Sequence, residues 1–307
     1  MNTHDIEAFV AVVETGSIIA AATRLHLTQP GISRRIQSLE DKLGVALLER
    51  QSKPLKPTAA GKEAYERGRR VLGSVADLLA GADPGAEASG EFRFGVAPFL
   101  AELTLTRLID GLRREFGKLT LRVSTGWSPS LLAQLEGNVV DAAAMVWPAD
   151  TMPPPTFTAH LLAHQMPVTV VSRASPLSDS AELTLEQLAQ YAWVLNQDGC
   201  GIRRTIQYKM DAARLPLNVA VETFGTELQL SLVARGVGLG MMMPGALARS
   251  AFRDQLKVLH VPEFDTGVNV WLVHARTPGR LAAPLERVRL EMGAMLADEL
   301  RSDSFVS

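Results

Sequence analysis

The chain has 307 residues, 47% of them hydrophobic, and a net charge of −2. That length exceeds one ordinary domain and the apolar share fills real cores, while near-neutrality removes the crude mark of a nucleic-acid binder, a whole-chain basic excess. A single cysteine, Cys200, excludes an intrachain disulfide and a cysteine zinc site. Charge is mildly uneven, with 11 Lys+Arg against 9 Asp+Glu in residues 1–80, which leaves +2 there and −4 beyond. The opening MNTHDIEAF has no basic leader before an apolar run, and no window is apolar enough to span a bilayer. A soluble, cytoplasmic protein with no membrane partner is expected.

Residues 1–80 read as nearly all helix. Ile6, Phe9, Val10 and Val13 form one apolar stripe at helical spacing. Gly16 ends that helix and Ser17 caps a second, from Ile18 to Leu25. His26-Leu27 is a turn, and Thr28 caps a third helix with Pro30 in its first turn. Lys53-Pro54-Leu55-Lys56-Pro57 cannot be helical and reads as a basic hairpin or loop. Thr58 then caps a long helix to about Leu79, striped by Val71, Val75, Leu78 and Leu79. Residues 81–90, GADPGAEASG, have the composition of a linker.

Beyond the linker the period changes. Strands are predicted at Phe92–Val96, 119–124, 141–147, 168–172, 192–195, 239–242 and 268–274. Helices are predicted at about 102–116, 129–136 and 226–234, and from about Pro284. Such alternation points to an α/β domain with mostly parallel sheets.

The third helix poses the functional question. With Ile32, Ile36 and Leu39 inward, the opposite face carries Pro30, Arg34, Gln37 and Ser38, with Ser33 on the flank. Arg and Gln pair bidentately with guanine and adenine edges, and Ser suits phosphate oxygens. An ordinary solvated surface would look the same. The context weighs against that: small Ala20, Ala21 and Ala22 let two helices cross closely, a short turn joins them, and a basic loop follows.

Residues 1–65 resemble the winged helix-turn-helix of the LysR-type transcriptional regulators. The match rests on Phe9, Val12, Ser17, Ala21-Ala22, Leu25, Thr28-Gln29-Pro30, Ser33, Ile36, Leu39-Glu40, Leu43-Gly44, Leu47, Arg50, Thr58 and Gly61. Two positions depart from the family: Leu48 stands where Phe is usual, and Pro57 where Leu is usual. The resemblance implies DNA contacts from Ser17, Thr28, Gln29, Pro30, Ser33, Arg34, Gln37 and Arg50, and from wing residues Lys53 and Lys56. It also implies a dimerisation helix bearing Val71, Val75, Leu78 and Leu79.

Residues 91–307 resemble the family's effector domain, which is similar to a small periplasmic binding protein. Gly90-Glu-Phe-Arg-Phe-Gly95, Leu135-Glu-Gly137 with Asp141, and Val233-Ala-Arg-Gly236-Val-Gly-Leu-Gly240 with Pro244 carry that match. The implied fold is an α+β multidomain chain. It has a winged helix-turn-helix over 1–58, a linker helix and hinge over 59–90, and a two-lobed α/β effector domain over 91–307. Lobe I takes about 91–162 and 268–307, and lobe II about 163–267. Effector contacts implied by position are Pro98, Phe99, Leu100, Trp127, Ser128, Ser130, Asn196, Gln197, Arg203, Thr223, Phe224 and Thr226. Trp147 fits the core or the cleft rim. A small-molecule effector, anionic and of unknown identity, is expected, with Arg203 offered to its carboxylate. No cofactor and no metal is expected. The implied partners are a double-stranded DNA operator, a second copy in a dimer and then a tetramer, and RNA polymerase.

Two alternatives stay open. Cys200 lies near the place where peroxide-sensing relatives carry a reactive cysteine, beside Arg203 and Arg204. An enzyme with an accessory N-terminal domain would need a nucleophile, base or metal set. The histidines show no HExxH, and His160 and His164, four apart as on one helical face, have no acid between them. The GVGLG at 236–240 lacks GxGxxG spacing and reads as a tight helix-to-strand connection.

Overall fold

The computed structural model describes residues 2–49, 52, 54–81, 88–180, 182–264 and 267–303. Two compact units divide the chain, Met1–Ala86 and Glu87–Ser307. No helix among the described residues is long and apolar enough to cross a membrane.

In the first unit, helix α1 spans Thr3–Thr15, opened by a capping box between Asn2 and Asp5 and closed by Gly16 at φ 65°. Helix α2, Ile18–Arg24, starts at Ser17, whose hydroxyl accepts from the Ala20 N–H. Helix α3, Gln29–Leu43, starts at Thr28, which accepts from the Gly31 N–H, and ends at Gly44, φ 70°. Phe9, Val12, Ala21, Ile32, Ile36, Leu39 and Leu47 share one buried core. Two short antiparallel strands, β1 (Leu48–Glu49) and β2 (Lys56–Pro57), form the wing. Helix α4 then runs Ala59–Gly81. Its start is pressed onto the wing base: a Cβ on Gly61 would lie 2.0 Å from the Leu47 carbonyl oxygen. Gly61 is therefore demanded by close backbone approach.

The second unit holds two lobes. Strands β3 (Gly90–Val96), β4 (Leu119–Thr125), β5 (Ala142–Pro148), β6 (Thr158–Gln165) and β12 (Val268–His274) make a five-stranded sheet in the order β4-β3-β5-β12-β6. Helices α5 (Pro98–Glu115), α6 (Ser128–Glu136) and α11 (Ala282–Asp303) belong to it. The chain leaves this sheet after β6 and returns only at β12. Between them, β7 (Val168–Ser172), β10 (Gly240–Met242) and β11 (Leu256–Leu259) form one small sheet, and β8 (Trp193–Asn196) pairs with β9 (Val219–Thr223) in another. Helices α7 (Leu185–Leu188), α8 (Gly201–Ala212), α9 (Thr226–Ala234) and α10 (Pro244–Arg249) complete the second lobe. Each lobe has its own apolar cores, and Ile202 of α8 packs against both.

The sheets are mixed rather than mostly parallel. β3 pairs in parallel with β4 and β5, and β8 with β9, but β12 is antiparallel to both neighbours, as are β10 and β11 to β7. Helix α5 begins at Pro98, four residues before the predicted start, because the extended Ala97 hands directly into a proline suited to a first turn. His160 and His164 sit on strand β6, not on a helix. A register shift opposite Val270/Trp271 breaks the two-residue alternation between them, so the two rings take different partners.

Gly61→Ala is expected to lower the thermal midpoint by several degrees, the mark of about 1–3 kcal/mol of overpacking. Circular dichroism melts read it, and an unchanged melt would show that α4 does not bear on the Leu47 carbonyl.

Candidate functional site

The outer face of α3 stands on a rigid base. Ile32, Ile36 and Leu39 are buried, and Glu40 is buried beneath the helix, accepting from the Leu47 N–H at 2.7 Å and the Leu48 N–H at 3.4 Å. Arg35 reaches back to the His4 carbonyl oxygen. Thr28, Gln29, Pro30, Ser33, Arg34 and Gln37 are left exposed. Gln37 donates to Asp41 at 2.7 Å, which holds it along the helix, whereas no hydrogen bond or ion pair engages Arg34 among the described residues. Ser38 does not join this face. Its hydroxyl turns to Asp5 at 3.3 Å, in a cluster with Lys42, because the α1 carboxylate needs donors where burial would raise its pKa. Ser17 is half-buried and spent as a cap.

The wing is docked on the α1–α2 junction. The Leu55 N–H donates to the Gly16 carbonyl, and a Cβ on Gly16 would meet Pro54 at 2.9 Å. Lys56 is exposed there. Arg50 and Lys53, the other expected basic contacts, lie outside the described residues.

On α4, Val71, Leu78 and Leu79 are exposed by 42%, 75% and 69%, and Val75 is half-buried. An apolar stripe left so open on a long helix lacks its covering surface. Val71 also rims a groove of about 370 Å³ shared with Ile6, Leu39, Leu43, Val45 and Leu47.

In the second unit, the expected effector contacts separate into two groups. Trp127 and Phe224 meet edge-on across the lobes, ring centroids 5.6 Å apart at 66°. Gly199, at φ 94°, comes so near that a Cβ there would lie 3.1 Å from Trp127 Cβ. Gln197 and Ser130 are exposed and Phe99 half-exposed. The remaining residues are committed to the fold. Pro98 is buried, Leu100 joins the first lobe's core, and Trp147 packs with Leu131, Met145 and Trp271. The Ser128 hydroxyl donates to the Val146 carbonyl at 2.8 Å and accepts from its N–H at 3.1 Å, so it staples α6 to β5. Asn196 Oδ1 accepts from the Gly225 N–H at 3.2 Å and from Thr223, while its Nδ2 donates to Gln229, tying β8 to the start of α9. Arg203 is not offered to a ligand carboxylate. It already donates to Glu222 at 2.6 Å and to the Asn196 carbonyl at 3.1 Å.

Sequence reasoning missed Glu102. It lies one turn beyond Phe99 on α5 and faces Thr226, Glu227 and Arg249 of the other lobe. The i, i+3 spacing from Phe99 was the available signal. Burial first, and then the Glu227 carboxylate, push the Glu102 carboxyl above its usual range, against the pull of Arg249 and Thr226. Thr226 itself is 9% exposed at the first turn of α9. The N-cap residues of α5, α6 and α9 make no side-chain cap, and at the start of α9 the Glu102 carboxyl accepts from the Thr226 N–H and hydroxyl, which leaves first-turn N–H groups of α5 and α6 for an anion.

Cys200 is 6% exposed at the start of α8. Burial pushes its thiol up, outweighing the α8 N–H groups and Arg203. The expected help from Arg203 exists but loses to desolvation, so the thiolate that redox sensing needs is disfavoured.

Comparison with known proteins places this architecture. Residues 3–62 match the family described as "Bacterial regulatory helix-turn-helix protein, lysR family", and residues 85–288 match the "LysR substrate binding domain". The chain belongs to the LysR-type transcriptional regulators. It is thus a transcriptional regulator with a helix-turn-helix DNA-binding domain and an effector-binding domain. The regulator is 28% identical over 255 residues to the "Hydrogen peroxide-inducible genes activator" of Dickeya chrysanthemi, covering 83% of each chain. Its fold is similar to a full-length OxyR variant from Pseudomonas aeruginosa, with TM-score 0.69, 18% identity and 95% and 94% of the two chains covered. It is also similar to full-length CbnR solved with its target DNA, with TM-score 0.58, 22% identity and 95% and 100% covered.

Two outcomes are expected here. Cys200 in the native regulator is expected to react with a thiol reagent far more slowly than in denaturant, read by absorbance; equal rates would mean an accessible thiolate. A carboxyl whose folded pKa is raised gives stability that is present at low pH and lost as pH rises through the folded value. Glu102→Gln is therefore expected to melt higher than the parent at pH 8 and no higher at pH 5, by a small margin because the carboxyl keeps contact with water. A gap independent of pH would remove the charge argument.

Proposed function

We propose that the regulator binds a double-stranded DNA operator in a sequence-specific manner as a dimer. The observation that carries this is the exposed Ser33/Arg34/Gln37 face of α3, with an uncommitted guanidinium held on a buried apolar base. Arg34 is placed to read a guanine, Gln37 an adenine, and the uncovered N-terminal turn at Thr28–Pro30 to sit against phosphate. Lys56 and its wing lie along the backbone. The bare stripe of Val71, Leu78 and Leu79 is the self-association surface, and two dimers join in a tetramer across a longer operator. Contact with RNA polymerase and residence in the cytoplasm follow from the same reading. The protein acts by binding and not by turnover.

The effector lodges between the lobes against Trp127 and Phe224. With Arg203 taken by Glu222 and the α9 start by Glu102, an anionic effector is received by the uncapped N–H groups of α5 and α6 rather than by a guanidinium. Occupancy shifts the assembly only by the effector's difference in affinity between its two arrangements. The peroxide-responsive reading draws on the Dickeya relative's name, and the buried, protonated Cys200 speaks against it.

Arg34→Ala is expected to weaken operator binding tenfold or more, in line with about 1–3 kcal/mol for a bidentate base contact, while leaving effector-induced thermal stabilisation intact. Footprinting at fixed salt measures it. An unchanged footprint at unchanged affinity would mean that another face reads the DNA.

A further inference from the structure

We propose that His160 and His274 form an open binding site for one divalent transition-metal ion, of the zinc, nickel or copper class, on the first lobe. The site lies on the five-stranded sheet of the effector domain, apart from the Trp127–Phe224 contact between the lobes. Its basis is the approach of the two rings. His160 Nε2 and His274 Nε2 are 3.3 Å apart, with the rings inclined by 24°. Two nitrogens at that spacing, each about 2.0–2.1 Å from a shared ion, subtend an angle of about 107°, which is tetrahedral.

The pair is preorganised by backbone. β6 and β12 are ladder partners, with His160 opposite Leu272 and His274 opposite Thr158. The two histidines are therefore diagonal neighbours on one face of the sheet, held without loop entropy. The His274 Nδ1 lies 2.7 Å from the Ala275 carbonyl, so it carries the proton and leaves the Nε2 lone pair directed away. A backbone acceptor on the far nitrogen is the usual support of a metal-bound imidazole.

His274 is 6% exposed on the inner strand β12. His160 is only half-buried, on an edge strand, so an ion has a way in from solvent. The Glu286 carboxylate on α11 is held by Arg289 at 2.5 and 2.7 Å and is not counted as a ligand. No three His, Cys, Asp or Glu side chains gather as a metal site among the described residues, so the ion keeps water or an exogenous ligand in its other positions. That makes the site exchangeable rather than structural.

The rival role for the pair is a plain N–H···N hydrogen bond, and titration separates the two. Tag-free full-length protein, stripped with chelator, is titrated with Zn²⁺ by calorimetry. One ion per chain is expected, with affinity reduced at least tenfold in His160→Asn and unchanged in His164→Asn, whose ring is engaged with Asn269 instead. Melting curves of both variants check folding. In the unsubstituted protein, paramagnetic Cu²⁺ is expected to broaden the His160 and His274 ring resonances before those of the other histidines. Absence of a stoichiometric ion, parent-like affinity in His160→Asn, or broadening that starts at other histidines would overturn the proposal.

Discussion

The exposed face of α3 depends on one buried carboxylate. Glu40 lies 6% exposed on the inner side of α3 and accepts from the N–H groups of Leu47 and Leu48, where the chain turns into the wing. A carboxylate taken out of water is tolerable only when donors meet it. Those two backbone donors therefore fix both the rotation of α3 and the path of the segment that follows. Ile32, Ile36 and Leu39 supply the apolar drive, but a stripe alone permits some roll. The hydrogen bonds select the roll that turns Arg34 and Gln37 outward. Gly61 closes the arrangement from the other side, because only a missing Cβ lets α4 come down on the Leu47 carbonyl.

The effector domain uses the same device with neutral groups. Ser128 meets both backbone groups of Val146, and Asn196 meets Gly225, Thr223 and Gln229. Polar side chains that sequence position offered to a ligand are instead consumed in setting the ends of α6 and α9. What remains at the junction of the lobes is aromatic, Trp127 against Phe224, together with the starts of α5 and α6, which carry no side-chain cap.

Much of the first unit was legible because its signals are local. Ser17 and Thr28 act as caps, Gly16 and Gly44 take the left-handed end positions, and the Ile32/Ile36/Leu39 stripe is buried. The second unit was less so. Helix α8 carries Ile202, Ile206 and Met210 at helical spacing, yet begins at Cys200 without the Ser, Thr or Asp that marks a start. Strand β6 has a register shift and an edge position, so its residues follow no clean two-residue alternation. The direction of β12, which runs antiparallel to β5, is set by where the chain returns from the second lobe.

The sequence by itself determined the two-part organisation, the family, and which edge of α3 meets solvent. Those follow from period, capping and composition, which act over a few residues. Only the tertiary structure decided which polar groups were free. Arg203 was lost to Glu222, Ser128 to Val146 and Ser38 to Asp5, while Glu102 came to face Glu227 and His160 came to face His274. Each of these pairings joins residues distant in sequence. Their existence depends on burial and on the relative placement of elements, and no local pattern carries that information.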